Sequence, residues 1–359
     1  MRFLKFFKGL NALLVFFPIS ALLEFKHAPD LWIFLSCCVA IVPLAGLMGT
    51  ATEELAKRVG PQWGGLLNAT FGNATELIIG LFALNAGLID LVRASIIGSI
   101  LGNILLVLGL SILAGGIKYK MQYFTQEIAE THSINLILAT ISLVIPAIFA
   151  TAFHHSQFSI SDSVENLSIG VAILMLALYI ASLVFSLKTH EKLFREGEED
   201  EDEPPVWSKG LAIGVLALTA VIISFLSEWL VGSVTVAAKD MHVNPTFVGI
   251  IIVPIVGNAA EHSTAVLMAM KNKMDITMNI AIGSSTQVAM FIAPVLVIAG
   301  YFTHHELTYL FAAPEIAAVA VSVLIAAFIA GDGKTHWLEG AQLLAAYAII
   351  GLAYYYLPK

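Results

Sequence analysis

The chain has 359 residues, of which 58% are hydrophobic and only 12% are charged, and its mean hydropathy is +0.87. A soluble domain is closer to half apolar, with about a quarter of its residues charged, so this composition excludes a soluble globular protein and indicates a polytopic membrane protein. The formal net charge of −8 comes largely from one acidic run. Cys37 and Cys38 are the only cysteines, which excludes a disulfide framework and a thiolate metal site.

Eleven apolar runs have about the length that is needed to cross a bilayer as a helix. The first follows a charged N-terminus, like the apolar part of a signal peptide, but no clear cleavage site comes after it, so we expect a retained helix. The predicted spans are residues 10–26, 31–56, 62–86, 91–115, 131–152, 164–187, 210–237, 245–270, 276–302, 308–330 and 337–357.

The basic residues predict the orientation of these spans. With eleven spans, 14 of the 18 Lys and Arg residues fall on the side of the N-terminus and 4 on the other side. Because cytoplasmic loops are enriched in basic residues, the N-terminus is predicted to be cytoplasmic and the C-terminus to be outside.

One hydrophilic segment is long enough to divide the chain. Seven acidic residues fall within 196–203, directly before Pro204 and Pro205, and such a run is typical of a solvated linker. The predicted organisation is an extra N-terminal transmembrane helix (1–28), a first five-helix repeat (29–188), an acidic cytoplasmic linker (189–206) and a second five-helix repeat (207–359).

The two repeats are predicted from an internal match. "GNATE" at 72–76 recurs as "GNAAE" at 257–261, and at the same offset of 185 residues Gly64 corresponds to Gly249, Asp90 to Asp275 and Gly98-Ser99 to Gly283-Ser284. The match falls on spans three and four and again on spans eight and nine. Because five is an odd number of spans, the second repeat must enter the membrane from the opposite side, which is the inverted-repeat plan of many secondary transporters.

The matched motif places a glutamate, Glu76 or Glu261, near the middle of the bilayer in each repeat. A charged group there costs several kcal/mol unless it is paired, solvated or neutralised. The alternative, a protonated glutamate that only joins two helices, is less favoured for two acids at equivalent positions, because transporters build their substrate sites there.

The ligand atoms that the selected side chains around these acids can offer to a cation are all oxygens. Gly72 and Gly257 precede the two asparagines, where they allow the helix to bend and free its carbonyls. The predicted cation- and proton-binding residues are Glu76, Glu261, Asn73, Asn258, Gly72, Gly257, Ser99, Ser284 and Gln287. Hard oxygen ligands with two negative charges favour Ca²⁺ over Mg²⁺ and over softer metals. Two close carboxylates in a low dielectric cannot both stay ionised, so the same pair would carry protons when Ca²⁺ leaves.

Three further residues are candidates for an access path or a proton relay. Glu54 lies near the end of span two and Glu228 lies in span seven, and either could equally be an ordinary solvated acid. His262 follows Glu261 and points about 100° away from it on a helix. It could relay protons or simply form a hydrogen bond with a neighbour.

The segments "GNATELIIGLFAL…GSILGN" and "GNAAEHSTAVLMAMKNKMD…GSSTQ" closely resemble the signature repeats of the calcium/cation–proton exchanger (CAX) family. The resemblance implies export of cytosolic Ca²⁺ in exchange for protons by alternating access, with Glu76 and Glu261 binding the cation and Glu54 and Glu228 serving the access paths. It implies no cofactor and no nucleic acid, only Ca²⁺ and H⁺ as substrates in a lipid bilayer. The lack of a long N-terminal extension favours a prokaryotic cell (inner) membrane over a vacuole.

Other functions remain open at this point. An exchanger of Na⁺ for Ca²⁺ or of Mn²⁺ for protons would use similar residues. An intramembrane hydrolase could use paired carboxylates as acid and base, and a cation channel could also place acids at mid-membrane. Both are less favoured, since neither needs equivalent acids in inverted repeats. The sequence predicts no stoichiometry and no oligomeric state.

Overall fold

A computed structural model describes residues 11–153, 160–190, 204–303 and 305–357. The acidic run at 196–203 lies outside the described residues. The described residues are almost entirely helical. The helices are α1 (Asn11–Phe25), α2 (Asp30–Val59), α3 (Pro61–Phe71), α4 (Ala74–Asn85), α5 (Ile89–Lys118), α6 (Gln126–Phe153), α7 (Ile160–Val184), α8 (Lys209–Asp240), α9 (Pro245–Gly257), α10 (Ala259–Met270), α11 (Met274–Thr303), α12 (Ala313–Ala330) and α13 (Trp337–Tyr355).

Eight of these helices are individually long and apolar enough to cross a membrane, among the residues that the structure describes. Two more spans result if the bent pairs α3–α4 and α9–α10 each count as one. The predicted count of eleven then depends on α1, whose 15 residues extend roughly 22 Å at 1.5 Å per residue, less than the hydrocarbon core. Eleven spans therefore stay a prediction, whereas a polytopic helical membrane protein is confirmed.

The boundaries of the helices repeat along the chain. Shifted by 185 residues, α4 (Ala74–Asn85) becomes α10 (Ala259–Met270) and α5 (Ile89–Lys118) becomes α11 (Met274–Thr303). The left-handed residue after the first helix of each pair also corresponds, because Gly87 has φ +72° and Asn272 has φ +62°. The internal match of the sequence therefore extends to local structure, while the opposite membrane orientation of the two repeats stays a prediction.

The helices form two compact units, each of which takes segments from both predicted repeats. The first unit comprises residues 1–95, 202–261 and 353–359, as far as they are described, and in it α8 packs along α2 and α4. The second comprises 96–201 and 262–352, with α6 against α12 and α7 against α11. A short antiparallel pair, β1 (Gln122–Tyr123) with β2 (Lys334–Thr335), lies in the second unit.

Two glycines that the offset relates allow close packing. A Cβ atom on Gly64 would lie 2.8 Å from the carbonyl oxygen of Ala56, and one on Gly249 would lie 2.6 Å from the Cβ atom of Ala94. Either distance is too short for carbon, so a larger residue at these positions requires its neighbour to move. Small residues at helix contacts let two backbones approach each other within a membrane.

We predict that Gly249→Ala lowers the free energy of unfolding by about 1–3 kcal/mol, because the added methyl group overpacks the contact with Ala94. The measurement is the melting temperature of the purified protein in detergent. The double variant Gly249→Ala/Ala94→Gly should regain most of the loss. Gly232→Ala in α8 is the control, since no atom lies within 4 Å of its Cβ position. A Gly249→Ala variant as stable as the wild type would contradict this packing.

Candidate functional site

The two bent pairs of helices break at the predicted motif. The axes of α3 and α4 differ by 41° and those of α9 and α10 by 63°. Asn73 (φ −103°, ψ 24°) and Asn258 (φ −96°, ψ 7°) have nearly the same non-helical backbone conformation at the breaks. A break leaves helix-end peptide groups without their usual intrahelical partners. The predicted bend next to Gly72 and Gly257 is thus confirmed.

The two glutamates reach toward each other's break. The Oε1 atom of Glu261 lies 3.5 Å from the position that a Cβ atom would take on Gly72. In the reverse direction, the carboxyl carbon and Oε1 of Glu76 lie 3.6 Å from the corresponding position on Gly257. Each carboxylate therefore packs against the glycine of the other motif, which brings the two glutamates to the same part of the first unit. The sequence predicted that these four residues share a site, and the first unit brings them together.

Several polar atoms at the breaks are buried. Asn73 and Asn258 are each only 1% exposed. Among the described residues, both carboxylate oxygens of Glu76 and both side-chain polar atoms of Asn258 are shielded from solvent and have no hydrogen-bond partner. Leaving such a group unsatisfied costs roughly 1–3 kcal/mol, and more when the group is charged. Two such groups at one place therefore need an explanation, and a ligand that supplies the missing contacts is one.

The predicted serines and the glutamine lie in the second unit. Ser99 and Ser284 are buried, and Gln287 is half-buried. The Nδ2 atom of Asn103 donates a hydrogen bond of 3.1 Å to Oγ of Ser284. Asn103 is 1% exposed and lies in the π-helical segment Gly102–Val107 within α5, but it was not among the residues predicted from the sequence. Asn103 is the last residue of the segment "GSILGN", and an amide inside an apolar span could have indicated a polar contact there.

Glu54 contacts the backbone at the end of the acidic linker. Its Oε2 atom accepts a hydrogen bond of 2.7 Å from the backbone N–H of Trp207, and its Oε1 atom lies 3.9 Å from Nζ of Lys57. Arg58 donates to the carbonyl oxygen of Trp207. Glu54 is only 7% exposed. It therefore anchors Trp207 to the end of α2, a role that the sequence did not indicate.

The other two access candidates differ from Glu54. Glu228 lies about midway along α8 and its side chain is exposed. A charged group at this depth of a span requires water or a partner. His262 follows Glu261 within the first turn of α10, and its Nε2 atom is shielded and has no hydrogen-bond partner among the described residues.

The donor set fits a hard cation better than a soft metal. Among the described residues, no three His, Cys, Asp or Glu side chains come together. The site combines two carboxylates with buried amides at interrupted helices. Carboxylate and amide oxygens are ligands of Ca²⁺, and carboxylates also take up protons. The arrangement can therefore bind either a divalent cation or protons.

Known proteins were compared with the chain by sequence and by fold. The family described as sodium/calcium exchanger protein matches residues 30–188 and 211–356. A Ca²⁺/H⁺ antiporter of Aphanothece halophytica is 45% identical over 361 residues, which cover 96% of each chain. The Ca²⁺/H⁺ antiporter ChaA of Bacillus subtilis (strain 168) is 45% identical over 344 residues, covering 95% of this chain and 96% of that relative.

A solved structure of native YfkE has the same fold. It is 42% identical and superimposes with a TM-score of 0.83, covering 98% of this chain and 100% of its own. These matches extend over nearly the whole chain and include both motif segments. The chain therefore belongs to the sodium/calcium exchanger protein family, and its resemblance to the calcium/cation–proton exchangers within that family is confirmed.

Proposed function

We infer that this chain is a Ca²⁺/H⁺ antiporter, a transporter and not an enzyme. Relatives with that activity in their names match 95–96% of the chain at 45% identity. The observation that carries the proposal within the molecule is the reciprocal packing of Glu76 against Gly257 and of Glu261 against Gly72. Two carboxylates at one place can hold one divalent cation or the protons that replace it.

The proposed cation site lies between Glu76 and Glu261. When Ca²⁺ binds, the two carboxylates are ionised and their charges are balanced by the cation. When Ca²⁺ leaves, two charges so close together in an apolar surrounding are unfavourable, so protons bind in its place. Because each state excludes the other, cation and protons move in opposite directions, and proton binding is coupled to Ca²⁺ release.

Neutral oxygens complete the proposed site. The amides of Asn73 and Asn258 lie at the two breaks, and the buried polar atoms of Asn258 support a role in ligation. We propose that backbone carbonyls near Gly72 and Gly257 contribute, and that Ser99, Ser284 and Gln287 are further oxygen donors. Ca²⁺ takes 6–8 oxygen ligands in flexible geometry, which suits a mixed set of this kind.

Three residues serve the access paths and the transfer of protons in this proposal. The exposed carboxylate of Glu228, midway along a span, supports a water-filled approach to the site. Glu54 lies near the end of α2, close to Lys57 and Arg58, and its negative charge would attract cations to this end of the helix. We propose His262 as a proton relay next to Glu261.

The proposed orientation follows from the distribution of basic residues. The N-terminus and the acidic linker would be cytoplasmic, the C-terminus would be outside, and the two five-helix repeats would have opposite orientations in a prokaryotic cell membrane. Alternating access then exposes the same pair of glutamates first to one side and then to the other.

We predict that the wild-type protein in proteoliposomes accumulates Ca²⁺ when a pH gradient is imposed without sodium, with matching proton movement inside. Glu76→Gln and Glu261→Gln should each reduce this uptake to the level of protein-free liposomes, because an amide neither releases a proton nor balances the charge of Ca²⁺. Glu127→Gln is the matched control, since Glu127 is an exposed acid in the first turn of α6.

The outcomes of this experiment separate the candidate functions. Uptake that appears only when a sodium gradient is added would replace the proposal with Na⁺/Ca²⁺ exchange. Mn²⁺ uptake in place of Ca²⁺ uptake would change the substrate and retain the mechanism. Flux that does not depend on protons and greatly exceeds carrier rates would indicate a channel. Either glutamine variant with wild-type exchange would contradict the site.

We predict that Gly257→Ala folds but raises the Ca²⁺ concentration for half-maximal exchange by about tenfold or more, a typical effect of disturbing the surroundings of a metal ligand. The added methyl group would lie 3.6 Å from the Glu76 carboxyl group, an ordinary contact that fills the space beside it. The measurement is the Ca²⁺ dependence of the initial rate. Gly214→Ala is the control, because its Cβ position is open. An unchanged Ca²⁺ dependence in Gly257→Ala would argue against a cation site next to this glycine.

We predict that Glu54→Gln slows exchange by about tenfold, since a negative charge beside a path raises the local cation concentration and the rate of entry. The glutamine retains an oxygen that can accept the Trp207 N–H, so it preserves the anchor and removes only the charge. Glu54→Ala removes both. If Glu54→Gln keeps the full rate and only Glu54→Ala is slow, Glu54 serves as an anchor alone. Initial rates at saturating and low Ca²⁺ provide the measurement.

A further inference from the structure

The far end of helix α10, which contains Glu261 in its first turn, is held by side chains from another segment. The Nε2 atom of Gln122 donates to the carbonyl oxygen of Ala269 at 2.8 Å and to Oδ1 of Asn272 at 3.2 Å. Nζ of Lys118 donates to the carbonyl oxygen of Met270 at 3.0 Å. The Ala269 carbonyl also accepts from the backbone N–H of Asn272 at 3.0 Å. The side chains of Gln122 and Lys118 therefore add donors at a helix end, where the carbonyls lack the usual partner four residues further on.

The same segment also holds the first turn of α11, the helix that follows α10. The backbone N–H of Thr125 donates to Oδ1 of Asp275 at 2.6 Å. We call residues 118–125 the clasp. The clasp is itself fixed, because Gln122 and Tyr123 pair with Thr335 and Lys334 in the two-stranded sheet. The end of α10 is therefore attached, through the clasp, to the strand of Lys334 and Thr335.

Gln122 is an unfavourable residue for its surroundings unless its amide group is needed. It is fully buried, and its Oε1 atom has no hydrogen-bond partner among the described residues. A buried unsatisfied acceptor costs roughly 1–3 kcal/mol, which an apolar side chain of similar size would avoid. A Cβ atom on Gly115 would overlap this oxygen, so the glycine leaves room for the amide. The Gln122 amide instead donates two hydrogen bonds from Nε2 to the end of α10.

The first repeat has a different arrangement at the corresponding turn. Asp90, the counterpart of Asp275, has a side chain that is 92% exposed and faces Arg93 at 3.5 Å. Shifted by 185 residues, Gln122 corresponds to Leu307, which has no hydrogen-bonding side chain. Among the described residues, the contacts of Gln122 and Asp275 therefore differ from what Leu307 and Asp90 offer at the corresponding positions. Glu261 precedes Ala269 by eight residues of one helix, roughly 12 Å along its axis.

We propose that Gln122 is a positioning residue for cation exchange: by fixing the last turn of α10, it sets the position of Glu261 at the first turn. This inference rests on the proposed function. A helix of three turns transmits the constraint because its backbone is hydrogen-bonded along its length. Loss of the Gln122 donors lets the helix end shift, which changes the position of the Glu261 carboxylate and weakens Ca²⁺ binding.

Gln122→Leu tests this role in the proteoliposome assay with Ca²⁺ alone and an imposed pH gradient. The expected result is a rise in the Ca²⁺ concentration for half-maximal exchange by at least about twofold. The maximal rate per folded protein should change less, because the chemistry of the two carboxylates is intact. A purely structural role would lower the amount of folded protein and leave the half-saturating concentration unchanged.

Gln126→Leu is the matched control. Gln126 is next to the clasp, but its Nε2 atom donates to the carbonyl oxygen of Gly331 and to Glu130, not to α10. Its half-saturating concentration should stay at the wild-type value.

Lys118→Met is a second test, since it removes the contact to Met270 from an exposed side chain. Lys118→Met should also raise the half-saturating Ca²⁺ concentration. If only the charge mattered, removal of a positive charge would reduce the repulsion of Ca²⁺ and lower that concentration.

An unchanged Ca²⁺ dependence in folded Gln122→Leu, or an equal shift in Gln126→Leu, would overturn the inference. If Gln122→Leu gives no folded protein, Lys118→Met decides, and an unchanged or lowered half-saturating concentration in that variant overturns it. These results differ from a failure of the proposed function, in which the wild-type protein itself would exchange no Ca²⁺ for protons.

Discussion

Two carboxylates placed among apolar helices are the constraint on which the other features of the site depend. A helix through a bilayer has no water to solvate a charged side chain, so a glutamate there needs a partner or a neutralising ion. The chain interrupts both helices three residues before the glutamate and has glycine where the opposite carboxyl group packs. Gly72 admits Glu261 and Gly257 admits Glu76. A side chain at either glycine would occupy the space beside the carboxyl group.

The same constraint explains how one site could serve two ions. In a folded protein, buried polar groups without partners are unfavourable and rare, yet Glu76 and Asn258 both have such atoms at the breaks. A bound Ca²⁺ would satisfy the carboxylate and amide oxygens together. Protons would neutralise the carboxylates in its absence. Exchange needs both states to be accessible and neither to be so stable that the ion cannot leave.

The two repeats have matching helices but unequal surroundings. Helices α4 and α10 have boundaries related by one offset, and so do α5 and α11. The helix of Glu261 ends in contacts from Gln122 and Lys118, whereas the corresponding turn of the first repeat has an exposed Asp90. Glu54, which holds Trp207, likewise has no acidic counterpart at the same offset. A duplicated chain can thus keep a glutamate at equivalent positions and still restrain the two helices differently.

The sequence by itself determined the class of protein, the approximate positions of the long apolar helices, the internal repeat and the pair of acids. These features depend on apolar run length, on composition and on short local motifs, all of which are properties of neighbouring residues. Only the tertiary structure decided that each glutamate packs against the opposite glycine, that Asn103 bonds to Ser284, that Glu54 anchors Trp207 and that Gln122 holds the end of α10. Those contacts join residues about 150 to 190 positions apart, and they depend on how helices pack against each other, which local pattern does not specify.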